Sequence, residues 1–244
     1  MTDRRLYQTR ALHAQVAHDI GRKIVSGSIP EGHGLPREAE LAAQFGVSRQ
    51  AVREALKVLG AKGLVVSRRR TGTTVMPRSS WNLLDPDVAA WHPSDRIVPD
   101  FVFDLVELRQ LIEPAAAALA AKRAGPEPLA RMKDALDQMR AAGDNVEPFF
   151  AADIEYHAAM YAATGNALID RLSTIIKPVL EMSFALQATM NPSFTRAVEQ
   201  HSDVYDAIVR HDAEAARRGM EEILAIAHGQ VTQLLRDRAP TAGA

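Results

Sequence analysis

Residues 34–56 read GLPREAELAAQFGVSRQAVREAL, and their pattern is the strongest indication of structure in the N-terminal part of the chain. Apolar residues recur at helical spacing from Leu41 to Phe45, which predicts a short helix that ends at Gly46. Ser48 stands where a second helix begins, and its hydroxyl can accept a hydrogen bond from an early backbone N–H group. Two helices joined by so short a turn are typical of a helix-turn-helix.

Regular structure is predicted on both sides of this stretch. An apolar stripe from Leu12 to Val25 indicates an amphipathic helix before it, and the second helix of the pair should run to about Ala61. The sequence then predicts two short strands joined by a basic turn, at residues 64–67 and 73–76. The order helix, helix, turn, helix, hairpin predicts a winged helix-turn-helix domain over residues 1–78.

Charge divides the chain into two parts. The net charge of the 244 residues is −1. Residues 1–78 carry 14 Lys and Arg against 6 Asp and Glu, which is +8, whereas residues 79–244 carry 15 against 24, which is −9. A basic part joined to an acidic part is expected when one domain binds a polyanion and the other has a different task. The sequence therefore predicts two domains.

Composition excludes several kinds of site. The chain has no cysteine, so disulfides, thiolate zinc sites and a cysteine nucleophile are excluded, and any metal must be held by His and carboxylate groups. No apolar run approaches the roughly 18 residues of a membrane-spanning helix. The N-terminal stretch MTDRRLYQTR lacks the apolar segment of a signal peptide. We expect a cytoplasmic protein that does not enter a membrane.

The second part of the chain shows only helical patterns. Four prolines between residues 77 and 99 indicate a linker over residues 79–99, with one short helix between Trp81 and Trp91. Beyond it, helical periods interrupted by Gly, Pro and Asn predict an all-α antiparallel bundle over residues 100–238. Its helices are expected at residues 100–123, 127–142, 148–164, 166–190, 194–210 and 212–237. The predicted fold class is thus mainly α.

The start of the second helix of the pair carries the side chains expected to meet DNA. In a helix-turn-helix these positions lie in the major groove, and here they are Ser48, Arg49, Gln50 and Arg53. Arginine pairs well with guanine, and glutamine pairs well with adenine. The basic turn would form a wing that binds the DNA backbone through Arg68, Arg69, Arg70, Thr71 and Gly72. The alternative is a solvated basic loop on a small α/β domain.

Three residues of the second part could bind a metal ion. Asp153 and His157 lie four residues apart and share one helix face, and the apolar pattern around His201 turns that residue inward on another helix. Two imidazoles and a carboxylate are common ligands of divalent metals. An ordinary surface or buried Asp–His pair is the alternative. The sequence predicts surface positions for the histidines His18, His33, His92 and His211.

Both parts resemble a known family. Residues 34–56 and the following Gly63-Leu64-Val65 resemble the winged-helix DNA-binding domain of the GntR family of bacterial transcriptional regulators. The family commonly has arginine at the position of Ala39, so that DNA contact is either lost in this chain or taken over by Arg37. The second part resembles the all-helical effector-binding domain of the FadR branch of this family, on Arg109, Asp153, His157, Thr164-Gly165-Asn166 and His201.

The resemblance assigns three metal ligands. A divalent metal ion, often zinc, would be held by Asp153, His157 and His201. The family's fourth ligand, a histidine, falls at Ile223 in this chain. His228 is five residues further on and about 140° around the helix, which makes it a poor substitute. A site with three protein ligands leaves open positions at which a hydroxy acid could chelate the metal.

The resemblance also assigns two effector contacts. Arg109 would bind the carboxylate of a small organic acid, and Asn166 would contact the same molecule. An ion pair with Glu107 or Glu113 is the alternative for Arg109. Residues 81–91 are similar to a segment of sugar-acid (galactonate-type) operon repressors in this family. An aldonate or a related sugar acid is therefore the expected effector.

These observations favour a regulator over an enzyme. We expect a homodimeric repressor that binds a palindromic operator in double-stranded DNA and that an organic acid releases. A metal-dependent enzyme acting on a small carboxylic acid is one alternative, but Glu155 points away from Asp153 and His157, so no general base lies near them. A sensor of the metal alone is the other alternative.

Overall fold

The computed structural model describes residues 3–69, 71–92, 99–174, 177 and 194–238. The chain forms two compact units, Met1–Ile97 and Val98–Ala244. The fold class predicted from the sequence is confirmed, because a helix-turn-helix with a small hairpin is followed by a helical bundle. None of the described helices combines the length and the apolar character needed to span a membrane.

The first unit has the predicted order of elements. Its described helices and strands are α1 (Asp3–Val25), α2 (Glu38–Phe45), α3 (Arg49–Ala61), β1 (Val65–Arg68), β2 (Gly72–Val75), a 3₁₀ turn (Arg78–Ser80) and α4 (Pro86–Ala90). Helix α1 begins well before the predicted apolar stripe. Strand β1 extends to Arg68, which the sequence analysis had assigned to the turn.

Local residues set the turn between α2 and α3. Gly46 ends α2 in the left-handed conformation (φ 64°), where a side chain would be strained. Ser48 then caps α3, because its Oγ accepts a hydrogen bond of 3.1 Å from the Ala51 N–H group. The buried face of α3 packs against α1 in one apolar core. This packing holds the opposite face of α3 toward solvent.

The hairpin is a regular antiparallel pair. Val65 pairs with Val75 and Arg68 pairs with Gly72, which has φ 85° at the tip. The Ser67 and Thr73 hydroxyls lie 2.8 Å apart across the strands. The hairpin packs through β1 against α3, so the wing is attached to the helix that it is expected to flank.

The segment predicted as a linker is different in the structure. Residues 79–92 pack on the first unit, and Trp91 is only 4% exposed. The Trp91 Nε1–H group donates to His18 Nδ1 at 2.9 Å, and Lys62 Nζ lies 2.6 Å from Asp85 and 2.7 Å from Asp87. Proline spacing shows where helices break, but it does not show whether the apolar residues between the breaks are buried.

The position of His92 also differs from the prediction. The sequence predicts a surface position for this residue, but the structure buries it next to Trp91, with 6% of its surface exposed. Burial, reinforced by the positive charge of Arg78, lowers the pKa of His92 to about 4. A histidine in a proline-rich segment offers no periodic pattern from which this burial could be recognised.

The second unit is a bundle of helices. Its described helices are α5 (Pro99–Arg123), α6 (Pro126–Ala142), α7 (Val146–Ala163), α8 (residues 167–174), α9 (Thr195–Val209) and α10 (Ala213–Arg238). Most of the predicted helix at 166–190 lies outside the described residues. Helix α7 packs on α5 and α6, and more than half of its residues are buried. Its polar residues Asp153, Tyr156 and His157 therefore lie in the core of the unit.

Candidate functional site

The start of α3 presents a polar surface to solvent. Ser48, Arg49, Gln50 and Arg53 are exposed, whereas Ala51 and Val52 between them are buried in the core. Arg37, which precedes α2, is exposed as well. This arrangement presents guanidinium, amide and hydroxyl groups together on a fixed helix end, as recognition of base edges requires.

Arg53 is held by a carboxylate that the sequence analysis missed. Its Nε and Nη2 groups donate to Glu38 at 3.2 and 2.8 Å, which is the paired geometry of a guanidinium and a carboxylate. The hydrogen bond from Arg53 outweighs partial burial and lowers the pKa of Glu38. Both side chains remain open to solvent. The pair could have been predicted from the helix-turn-helix itself, because this motif brings the start of α2, with Glu38, close to α3, with Arg53.

The tip of the wing is basic and exposed. Arg68, Arg69, Thr71 and Gly72 are all exposed, and Arg70 lies outside the described residues. The backbone of the hairpin is fixed by strand pairing up to Arg68, so the basic groups lie at its tip rather than along a strand face. The tip can contact phosphate groups without a change in the domain.

The second unit brings Asp153, His157 and His201 together. Asp153 and His157 lie one turn apart on α7, and His201 lies on α9. Asp153 Oδ1 is 3.1 Å from His201 Nε2 and 3.9 Å from His157 Nε2, and the two Nε2 atoms are 3.4 Å apart. All three side chains are buried. The cluster predicted from spacing therefore has a common centre.

The neighbours of the two rings favour the tautomer that a metal needs. His201 Nδ1 lies 2.7 Å from the Ala197 carbonyl, which only accepts, so a metal-bound His201 would keep its proton on Nδ1 and offer the lone pair of Nε2 to the ion. His157 Nδ1 lies 2.9 Å from Glu113 Oε2, although its N–H group is poorly aimed for a hydrogen bond. Both Nε2 atoms can therefore direct lone pairs toward Asp153.

This donor set fits a divalent cation. Two imidazole nitrogens and a carboxylate oxygen are suitable ligands, and the carbonyl and carboxylate behind the rings are typical outer partners. Burial alone raises the pKa of Asp153, but the hydrogen bond with His201 and nearby positive charges lower it on balance, so the carboxylate is ionised. Lone pairs and a negative oxygen this close repel one another unless a cation or proton lies between them.

The described residues supply no fourth histidine or carboxylate to this group. Ile223 is half-buried and has no donor atom. His228 is exposed, and its ring lies 6.5 Å from that of Phe103. The departure from the family pattern that the sequence shows at Ile223 thus persists in the structure.

Arg109 lies behind the cluster in a buried ion pair. Its Nε donates to Glu113 Oε1 at 2.6 Å and its Nη2 to Oε2 at 3.4 Å. Tyr161 donates its hydroxyl to the same Oε1 at 3.1 Å. Burial favours a higher pKa for Glu113, but Arg109 and His157 outweigh it and hold that pKa far below its ordinary value. The ion pair that was the alternative for Arg109 is present in the structure.

Asn166 acts as a helix cap. Its Oδ1 accepts from the N–H groups of Leu168 and Ile169 at 3.0 and 3.4 Å at the start of α8. The backbone N–H of Asn166 donates to the Thr164 hydroxyl. A contact between Asn166 and an effector stays a prediction.

Residues 12–75 match the model for bacterial regulatory proteins of the gntR family, and residues 104–225 match the model for the FCD domain. The chain belongs to the GntR family. It is 35% identical to the galactonate operon transcriptional repressor of Escherichia coli K12, across 84% of this chain and 90% of the relative. It is 32% identical to the putative L-lactate dehydrogenase operon regulatory protein of the same organism, across 94% and 90%.

A solved structure supports the fold. The chain is similar to Lar, which controls the Listeria monocytogenes agr system, with a TM-score of 0.63, 19% identity and coverage of 91% of this chain and 97% of that one. At this identity the likeness concerns the fold alone. GntR membership confirms the predicted family, and the relatives are transcriptional regulators rather than enzymes. The chain is a DNA-binding transcriptional regulator with an FCD effector-binding domain, and the metalloenzyme alternative is wrong.

Proposed function

We propose that this GntR-family regulator represses an operon for the breakdown of a sugar acid or another small carboxylic acid. The observation that carries the proposal is the convergence of Asp153, His157 and His201 beside the buried guanidinium of Arg109. The names of two relatives refer to galactonate and lactate. Both acids have a hydroxyl next to the carboxylate, a pair of groups that can chelate one metal ion.

The metal in this proposal is zinc. The three ligands leave coordination positions open for the hydroxyl and carboxylate of the acid. Arg109 would bind the same carboxylate through N–H groups that Glu113 does not use, and Asn166 would contact the rest of the molecule. The metal ligands lie on α7 and α9, whereas Arg109 lies on α5. An acid that binds both the metal and Arg109 would therefore connect these helices, and its binding can alter the packing of the bundle.

The DNA contacts divide into two groups. The side chains that read bases are Ser48, Arg49, Gln50 and Arg53, and those that hold the backbone are Arg37, Arg68, Arg69, Arg70, Thr71 and Gly72. A homodimer with two-fold symmetry would place two such surfaces on a palindromic operator. Because bacterial DNA lies in the cytoplasm, we place the activity there.

The test is thermal unfolding of metal-analysed protein with a panel of sugar acids and 2-hydroxy acids, with zinc and with a chelator. An acid that binds the native state raises the midpoint, and we expect this rise to vanish with chelator and in His201→Gln. The control is Glu155→Gln, which changes an exposed residue of α7 and should leave the rise intact. The same acid should release the protein from operator DNA.

Three experimental outcomes would contradict the proposed function, each in a different way. A rise that neither the chelator nor His201→Gln affects would show that the acid binds elsewhere. Operator release by zinc without any acid would indicate a sensor of the metal alone. Conversion of the acid during the assay would contradict a regulatory role.

A further inference from the structure

We infer that Glu113 sets the charge of the effector site, so that the site accepts an acid with one carboxylate and rejects an acid with two. The inference rests on the proposed function, in which an acid binds at a divalent metal beside Arg109. Glu113 does not bind the metal in this scheme, and it acts as a positioning and specificity residue.

Glu113 lies at the centre of the polar cluster and has no exposed surface. Its two oxygens contact the Arg109 guanidinium, the Tyr161 hydroxyl and Nδ1 of His157. Nδ1 is the ring atom remote from the ligand nitrogen Nε2. Glu113 therefore contacts His157 from behind, while it remains a negative charge next to the arginine expected to bind the effector.

The charges of the site can be counted among the buried residues that the structure describes. Arg109 contributes one positive charge, and Glu113 and Asp153 contribute one negative charge each. Both histidines are neutral when they bind a metal. With a divalent cation the sum is +1, which one carboxylate neutralises. A second carboxylate would leave an unpaired negative charge in a buried site, which is strongly unfavourable.

The geometry around Arg109 leads to the same conclusion. Glu113 engages Nε and one N–H group of Nη2, so this pair leaves Nη1 and the second N–H group of Nη2 for the effector. One nitrogen suffices for one carboxylate oxygen that also binds the metal. A second effector carboxylate would compete with Glu113 for Nε and Nη2 and would meet its negative charge.

The experiment compares acids that differ only in the number of carboxylates. Lactate and tartronate share a three-carbon 2-hydroxy skeleton, and gluconate and glucarate share a six-carbon chain. Calorimetry with zinc-loaded protein gives the ratio of dissociation constants within each pair. We expect the wild type to favour the monocarboxylate, and Glu113→Gln to move the ratio by at least about tenfold toward the dicarboxylate.

Two further variants separate charge from structure. Glu113→Asp keeps the charge on a shorter side chain, so it should keep the preference for the monocarboxylate even where affinity falls. Glu155→Gln removes an exposed charge from α7 and should leave both affinities unchanged. Metal content measured on each protein shows whether the site is still loaded.

The outcomes distinguish this inference from the proposed function. Wild-type protein that binds neither acid of either pair contradicts the proposed function and the inference together. Binding that favours a dicarboxylate in the wild type, or a ratio that Glu113→Gln leaves unchanged, overturns the inference alone. The wild-type preference needs no substitution, so the inference stays testable even if Glu113→Gln fails to fold.

Discussion

Two glutamates hold the arginines that were expected to bind a ligand. Glu113 pairs with Arg109 inside the bundle, and Glu38 pairs with Arg53 at the surface of the helix-turn-helix. The two ion pairs differ in their exposure to solvent. The buried pair cannot separate without leaving an unpaired charge in the core, whereas the exposed pair is screened by water and can exchange its partner for DNA.

Arg49 is expected to recognise a base, because it lies exposed at the start of α3 and no described ion pair engages it. Arg49→Ala should cost about 1–3 kcal/mol of discrimination at one base pair of the operator. Fluorescence anisotropy with operator and scrambled duplexes measures this ratio. Lys57→Ala, further along α3, is the control. An unchanged ratio in Arg49→Ala would mean that a different residue recognises that base.

Glu38 is expected to restrain Arg53 and to repel phosphate. Glu38→Gln frees the guanidinium, so binding to scrambled DNA should tighten by about threefold to tenfold and the operator preference should fall. Glu54→Gln removes the same charge from α3, where Glu54 pairs with Lys57, and serves as the matched control. Equal effects of the two variants would show that net charge alone matters, with no special role for Glu38.

At the scale of elements, local signals predicted some features and missed others. The turn between α2 and α3 was predictable because Gly46 ends α2 through its own backbone conformation and Ser48 caps α3 through its own hydroxyl. The metal cluster was predictable in part, since i,i+4 spacing brought Asp153 and His157 together. Spacing also allowed the pair of Arg109 with Glu113, but the docking of α4 and the approach of Glu113 to His157 depend on contacts between distant segments, for which spacing gives no signal.

The docking of α4 on α1 is expected to depend on the absence of a side chain at Gly21. A Cβ atom there would lie 2.5 Å from ring carbons of Trp91, so Gly21→Ala must displace a buried ring, at a cost of about 1–3 kcal/mol. Gly60→Ala is the control, because its nearest neighbour would be 3.6 Å away and alanine favours a helix.

Urea unfolding followed by tryptophan fluorescence measures both glycine variants, since Trp81 and Trp91 are the two tryptophans of the chain. We expect a lower midpoint for Gly21→Ala and an equal or higher midpoint for Gly60→Ala. Equal midpoints in Gly21→Ala and the wild type would show that Trp91 moves without cost and that α4 is loosely held.

The two units of the molecule are expected to have different functions, and each unit can be followed by its own experimental signal. Both tryptophans and the expected DNA contacts belong to Met1–Ile97, whereas the expected metal ligands belong to Val98–Ala244. Tryptophan fluorescence therefore follows the DNA-binding unit, and metal content follows the effector-binding unit. A perturbation can be assigned to one unit by comparing these two signals.

Acid offers such a perturbation through His92. Its pKa of about 4 in the folded protein lies below the ordinary value of 6.5, so the unfolded chain binds more protons between these values. The stability of the first unit should therefore fall as the pH drops from about 6.5 toward about 4. His92→Gln removes the buried imidazole and should flatten the dependence of the urea midpoint on pH, while the exposed His33→Gln should not. If His92→Gln keeps the wild-type slope, other groups carry the acid sensitivity of the DNA-binding unit.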